Sequence, residues 1–236
     1  MSDKNLLLIG SESHISKDYI DRYGKEYDNI IGIDFPLKST YLSSYISVDF
    51  QQEEAFSDIE KYFDSLSLSF SQILFSSGIN FMNNIFTSTI DDWDTTFNVN
   101  IRSIVFTLKA ALNYMQKETA IVLIASQNGI VGHEDRIDYG PSKSSLIQLA
   151  KNLTVDYAKL KDKDIRVNCL SPSYIVNDSN RELLNSYIGE KLLLKIPYKK
   201  FVNLQEVSYA LEFLLGYKSK AIRGQNIIID YGYTVI

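Results

Sequence analysis

Tyr139 and Lys143 stand four residues apart in the run Tyr139-Gly140-Pro141-Ser142-Lys143. On a helix, side chains at i and i+4 lie one above the other. An ammonium beside a phenol favours the phenolate and draws down a pKa that starts near ~10. That is what a tyrosine needs to act as a general acid or base. Pro141 suits such a helix only in its first turn, where a missing N–H costs nothing. Alone, a pair so spaced is ordinarily a solvated helix face, so its companions decide. Ser126 closes the apolar segment Ala120–Ser126, thirteen residues before Tyr139. A hydroxyl there could stabilise charge on a carbonyl oxygen. Asn100 follows a stretch of helical spacing that holds Trp93, Phe97 and Val99.

The elements that must position these groups are legible as short apolar or β-branched runs. They are Asn5–Gly10, Asn29–Asp34, Tyr45–Asp49, Gln72–Ser76, Ala120–Ser126, Ile165–Leu170 and Gln225–Asp230. Several are continuously apolar rather than alternating, as strands buried on both faces of a parallel sheet are. Helical spacing lies between them: Ile15, Tyr19 and Tyr23 form one stripe, and Leu146, Leu149, Leu153 and Tyr157 another. Thr89, with Asp92 three residues on, reads as a capping box. Seven strands alternating with helices predict an α/β fold, a doubly wound parallel sheet with helices on both faces. No repeat, low-complexity tract or linker interrupts the chain, so residues 1–236 read as one domain. In such a sheet, ligands bind beyond the carboxyl ends of the strands.

Composition removes several classes of function. A net charge of −5 is no footprint for nucleic acid. One cysteine, Cys169, allows no intrachain disulfide, and with two histidines it leaves too few soft ligands for a zinc site. No metal is expected. The apolar run Leu6–Ile9 is too short for a signal-peptide core, and no stretch approaches the ~20 apolar residues of a membrane span. A cytoplasmic protein without membrane or nucleic-acid partners is the expectation.

Taken together and in order, these residues resemble the short-chain dehydrogenase/reductase family in its single-domain branch. The resemblance runs almost end to end. It covers the strand and turn of Leu6–Ser16, Phe75-Ser76-Ser77-Gly78 in place of N-N-A-G, and Trp93 through Asn100. It continues through the serine strand, the Y-x-x-x-K helix, Ile165–Asn168 leading to Pro172, and Asp230-Tyr231-Gly232 in place of D-G-G. It implies a catalytic tetrad of Asn100, Ser126, Tyr139 and Lys143. Tyr139 would exchange a proton with the carbonyl oxygen, and Ser126 would hydrogen-bond that oxygen. Lys143 would lower the tyrosine pKa and bind the nicotinamide ribose, and Asn100 would hold a water linking Lys143 to solvent. The resemblance also implies a homo-oligomer, tetramer or dimer, built through helices flanking the sheet.

The cofactor turn departs from the pattern. The family's T-G-x-x-x-G-x-G aligns with Ile9–Ser16, so Gly10 remains while His14 and Ser16 replace the other glycines. The replaced glycines ordinarily admit the pyrophosphate and tight helix–strand packing. His14 would crowd the phosphate with its Cβ, or else hydrogen-bond it. Ser13 and Ile15 belong to the same turn, and Phe75, Ser76 and Gly78 to the adenosine side, where Phe75 and Ser76 remove two amides. Weakened cofactor affinity is expected. Asp34 ends the second strand, where a carboxylate accepts from a ribose 2′-OH and repels a 2′-phosphate, favouring NAD(H) over NADP(H). No Lys or Arg lies in Ser11–Ser16 to compensate, and Glu12 would oppose a phosphate. Asp49 matches the position that meets the adenine amino group. Pro172, Ser173, Ile175 and Asn177 fall on the nicotinamide side, with Asn177 available to a carboxamide.

Gln127, Asn128, His133, Glu134, Asp135 and Arg136 precede Tyr139, and Asn177, Asp178, Asn180 and Arg181 follow the sixth strand. So polar a set suits a sugar-like or hydroxy-acid-like small molecule. The reading is therefore an oxidoreductase interconverting a carbonyl and a secondary alcohol with NAD(H). Its rivals are an NADPH-linked 3-oxoacyl-carrier-protein reductase and a non-catalytic binding or regulatory protein on the same fold.

Overall fold

Both faces of the first strand are apolar, and each finds its own layer of helices. In the computed structural model, which describes residues 3–235, strand β1 spans Asn5–Ile9 and is wholly buried. Its pleat sends Leu7 and Ile9 into one core and Leu6 and Leu8 into another. The other strands of the main sheet are β2 (Asn29–Asp34), β3 (Tyr45–Ser47), β4 (Phe70–Phe75), β5 (Met115–Ile124), β6 (Asp164–Pro172) and, after a short outlying pair, β9 (Asn226–Ile229). The pair is β7 (Ile175–Val176) with β8 (Val202–Asn203). The order across the main sheet is β3-β2-β1-β4-β5-β6-β9, all parallel. The strand order reverses between β1 and β4, so a crevice opens beyond their carboxyl ends.

Helices α2 (Ala55–Leu66), α4 (Ser103–Ala111) and α5 (Tyr139–Tyr157) cover one face, and α1 (His14–Tyr23) and α8 (Leu204–Leu215) the other. Between α2 and α4 lies α3 (Ile90–Phe97), followed by a wide π-turn at Asn98–Arg102. Two short helices, α6 (Arg181–Leu184) and α7 (Tyr187–Leu194), fill the span bracketed by β7 and β8. Each predicted segment contributes a strand of the seven-stranded sheet. The start of β5 was hidden by its polar residues Gln116–Thr119, which fall in the register shift between the Phe70–Met115 and Gln72–Ala120 pairs with β4.

Two expectations need correction. Thr89 caps α3 by accepting from Asp92 N at 3.1 Å, but the Asp92 carboxylate turns to Asn83 Nδ2 at 3.0 Å. Half of the capping box forms. The strict alternation of strands and helices also fails once. Residues 35–44 carry β2 into β3 without a helix, because ten residues are too few for a helix and its two turns. Among the described residues no helix is long and apolar enough to cross a membrane.

Candidate active site

Beyond β1 the chain turns at Gly10, whose φ of +81° is open to glycine and whose Cβ would lie 2.3 Å from Ser77 N. Ser13 then caps α1, its Oγ accepting from Ser16 N at 3.2 Å. The helix N-terminus so formed faces the crevice with free N–H groups suited to an anion. The two serines that replace expected glycine and asparagine meet each other. Ser76 Oγ lies 2.7 Å from Ser16 Oγ and 2.9 Å from Ser13 Oγ, and donates toward Gly10 O at 2.9 Å. Ser16 is fully buried at this helix–strand contact, so its hydroxyl needs that partner.

A cavity of about 500 Å³ brings together Gly10, Ser13, Asp34, Asp49, Ser76 and Gly78. Asp34 is held from both sides, its Oδ2 accepting from Glu12 N at 2.8 Å and its Oδ1 from Phe35 N at 2.7 Å. Asp49 lies two residues past the end of β3 and accepts from Gln51 N at 3.0 Å. Three residues predicted for the phosphate and adenosine side stand apart from this cavity. His14 is exposed at the start of α1, and Ile15 packs toward the core beneath it. Phe75 is 1 % exposed, inside the core on the α2/α4/α5 face. Its assignment to the cofactor is corrected on that ground: the pleat that turns Ser76 to the crevice turns Phe75 away from it.

Across the crevice, Pro172 ends β6 opposite Ile229, and Ser173 donates to Gln127 Oε1 at 2.6 Å. Ile175 is half-buried in β7. The Asn177 oxygen is committed to a local turn, accepting from Ser179 Oγ at 2.6 Å and Ser179 N at 3.0 Å. Only its NH₂ is left for a carboxamide.

The four residues of the expected tetrad converge. Lys143 is 2 % exposed, with Nζ donating to Ile124 O at 2.9 Å and lying 5.6 Å from the centre of the Tyr139 ring. Ser126 is buried, its Oγ accepting from Asn128 N at 3.2 Å. Asn100, in the π-turn, is fully buried. Its Oδ1 accepts from Ile79 N at 2.9 Å, and its Nδ2 donates to Ile79 O at 3.1 Å and Ser142 Oγ at 3.0 Å. Both amide hydrogens are thus used to tie the 78–79 turn to α5. A water held by this side chain could only donate to its oxygen.

Burial pushes the Tyr139 phenol above its ordinary value, against the opposing pull of the Ser126 hydroxyl and the positive Arg136. Burial also brings Lys143 down to about 8. The ammonium is directed to the Ile124 carbonyl, and burial outweighs the groups that draw the phenol down.

Two positioning residues escaped the sequence reading. Asp138 is fully buried and caps α5, its Oδ1 accepting from Tyr139 N at 2.7 Å and its Oδ2 from Thr96 Oγ1 at 2.8 Å. An Asp directly before a predicted helix was the available signal. Gly129 lets the turn after Ser126 touch α5, since a Cβ there would lie 2.7 Å from Lys143 C and Ser144 N. Gly129→Ala must displace one backbone from the other, and a loss of about 1–3 kcal/mol in stability is expected, read as a lower denaturation midpoint.

The topology, the glycine turn at β1 and the crevice at the switch point define a Rossmann-like nucleotide-binding fold. A family model described as enoyl-(acyl carrier protein) reductase matches residues 35–234. Glucose 1-dehydrogenase 2 of Bacillus subtilis is 26% identical over 254 residues, covering 100% of this chain and 96% of that one. The 3-oxoacyl-[acyl-carrier-protein] reductase FabG of Buchnera aphidicola subsp. Schizaphis graminum is 33% identical over 143 residues, 60% of this chain and 57% of its own. The solved structure of 4-hydroxyisoleucine dehydrogenase complexed with NADH superposes with a TM-score of 0.88 at 21% identity, over 99% of this chain and 100% of that one. The chain belongs to the short-chain dehydrogenase/reductase family and is an oxidoreductase of that kind.

Proposed function

We propose that the protein interconverts a carbonyl and a secondary alcohol on a small polar substrate, with NAD(H) as the favoured cofactor and one domain carrying both sites. The observation that supports this most is the convergence of Ser126, Tyr139, Lys143 and Asn100 at one end of the crevice whose other end holds Asp34. The residues present fit a dinucleotide: a Cβ at position 10 would fill the turn, and the capped N-terminus of α1 suits a pyrophosphate. Gly10 and Ser13 would hold the phosphates, Asp34 and Asp49 the adenosine, and Ser173 and the Asn177 NH₂ the nicotinamide. When bound, that group supplies or accepts the hydride.

In the reductive direction Tyr139 donates its phenolic proton to the carbonyl oxygen as charge develops there. The Ser126 hydroxyl donates a hydrogen bond to the same oxygen and places it. Lys143, near its own pKa at physiological pH, stabilises the phenolate left behind and can pass a proton on. Asn100 acts one step back, fixing the turn at Gly78 against α5. Assembly as a homo-oligomer through the flanking helices completes the proposal, and light scattering measures it.

Titration of the protein with NADH and NADPH tests the cofactor assignment. Tighter binding of NADH is expected, and tighter binding of NADPH overturns it. Asp34→Ala removes the ribose acceptor and the charge facing a 2′-phosphate together, so the NADH preference should shrink by about tenfold or more. His14→Gly should tighten NADH by less than about tenfold, because the exposed ring leaves only the Cβ to crowd the phosphate. The gain should be independent of pH. A loss of affinity, steepest at low pH where imidazolium would pair with phosphate, would assign His14 a direct contact instead.

A further inference from the structure

Glu12 ties the helix-free segment between β2 and β3 to the phosphate turn. Its carboxylate accepts from Ser39 Oγ at 2.6 Å, Thr40 Oγ1 at 2.8 Å and Thr40 N at 3.2 Å. It also pairs with Lys17 Nζ at 2.9 Å, with 10% of its side chain exposed. Tyr41 reinforces the tie by donating to Ser11 O. Against the upward push of burial, the hydrogen bonds from Ser39, Lys17 and Thr40 hold the Glu12 carboxyl down to about 2. It is charged at every working pH.

Glu12 lines the same cavity as Asp34, and its own N–H donates to the Asp34 carboxylate. A 2′-phosphate entering here would need a cation to offset two carboxylates. Lys17, on the first turns of α1, does not line the cavity, but Glu12, which does, holds its ammonium at 2.9 Å. Arg22 on the same helix is bound by Asp18 at 2.7 Å, and exposed Lys38 makes no ion pair with a residue of the cavity wall among the described residues.

We propose that Glu12 is a specificity-determining residue which, by binding Lys17 and fixing residues 35–44, withholds that ammonium from a 2′-phosphate and keeps a second carboxylate beside Asp34. The inference rests on the dinucleotide reading above and extends it. Cofactor choice would then be set by a pair of side chains in addition to the acid that ends β2.

Calorimetric titration of the full chain with NADH and NADPH tests it. Glu12→Gln keeps an oxygen to accept from Ser39 or Thr40 but releases Lys17 from its ion pair. NADPH should bind about tenfold more tightly to this variant, with NADH changed less than about threefold. The gain should shrink in the Glu12→Gln/Lys17→Met double variant, where only the lost carboxylate charge is left to favour NADPH. Lys17→Met alone, in case Glu12→Gln does not fold, should leave NADPH affinity within about twofold of the native value. An unchanged NADH/NADPH ratio in Glu12→Gln overturns the inference, as does a gain that is undiminished without Lys17. Parallel weakening of both nucleotides overturns it too, leaving Glu12 a staple of the loop alone. A tenfold loss of NADPH affinity in Lys17→Met has the same consequence. Native protein that binds neither nucleotide removes the dinucleotide reading itself, an outcome distinct from all of these.

Discussion

Tyr139→Phe is expected to lower turnover of a carbonyl substrate by about 10²–10⁴-fold, the range that general acid–base catalysis contributes. NADH affinity should stay within about threefold. The split follows from position: the ring is retained at the start of α5, so the crevice keeps its shape, and only the transferable proton is gone. Because burial pushes the phenol upward, the native enzyme should reduce carbonyls without needing acid. Alcohol oxidation, which requires the phenolate, should accelerate as pH rises. Single-turnover measurements with pre-bound cofactor separate the chemical step from binding. A phenylalanine variant that retains native turnover would exclude Tyr139 as the acid.

Lys143→Met should make the protein more stable at pH 7 while also suppressing turnover. The ammonium is 2 % exposed and burial draws its pKa from 10.5 to about 8. At ~1.4 kcal/mol per unit, the folded state carries a cost of roughly 3 kcal/mol for keeping that charge. The bond to Ile124 O returns about 1 kcal/mol of it. The remainder should raise the Tm of the methionine variant by a few degrees for a chain of this size. The pH dependence has a definite sign. Below pH 8 both folded and unfolded chains hold the proton, and the whole cost is present. Between about 8 and 10.5 the unfolded chain binds more protons than the folded one, so native stability rises with pH and the gap closes. Thermal melts of both proteins at pH 7, 9 and 10 measure this. A variant less stable than the native protein at pH 7 would mean that the ammonium is paired well enough to stabilise the fold.

What could be read from the sequence follows from which forces are local. Leu6–Ile9 or Ile121–Ile124 announce a buried parallel strand because both faces need apolar side chains, and no knowledge of partners is required. Ser126 was legible because it follows such a strand, and Tyr139 and Lys143 because they share a face at the start of α5, whereas Asn100, in the π-turn, came from the family resemblance alone. Phe75 was misassigned because two adjacent residues at a strand end face opposite sides. The missing helix between β2 and β3 was obscured by an assumption of alternation. Pro36 and the serines of that segment were the contrary signal. Glu12 could not be read fully, since its partners Ser39 and Thr40 lie more than 25 residues away in a loop with no periodicity.

The serine cluster behind the phosphate turn carries a consequence for how such a turn can change over descent. Ser76 has acceptors in Gly10 O and Ser13 besides Ser16, so it stands without Ser16. Ser16 has Ser76 as its hydroxyl's only partner among the described residues. The dependence is one-way. A serine at 76 could be fixed while glycine still occupied 16, whereas a serine at 16 arriving first would strand a buried hydroxyl beside the sheet. The order of replacement is thereby constrained, and the first substitution becomes hard to reverse once the second is in place. Ancestral forms of this turn are expected to pair a serine at position 76 with a glycine at position 16, and not the converse.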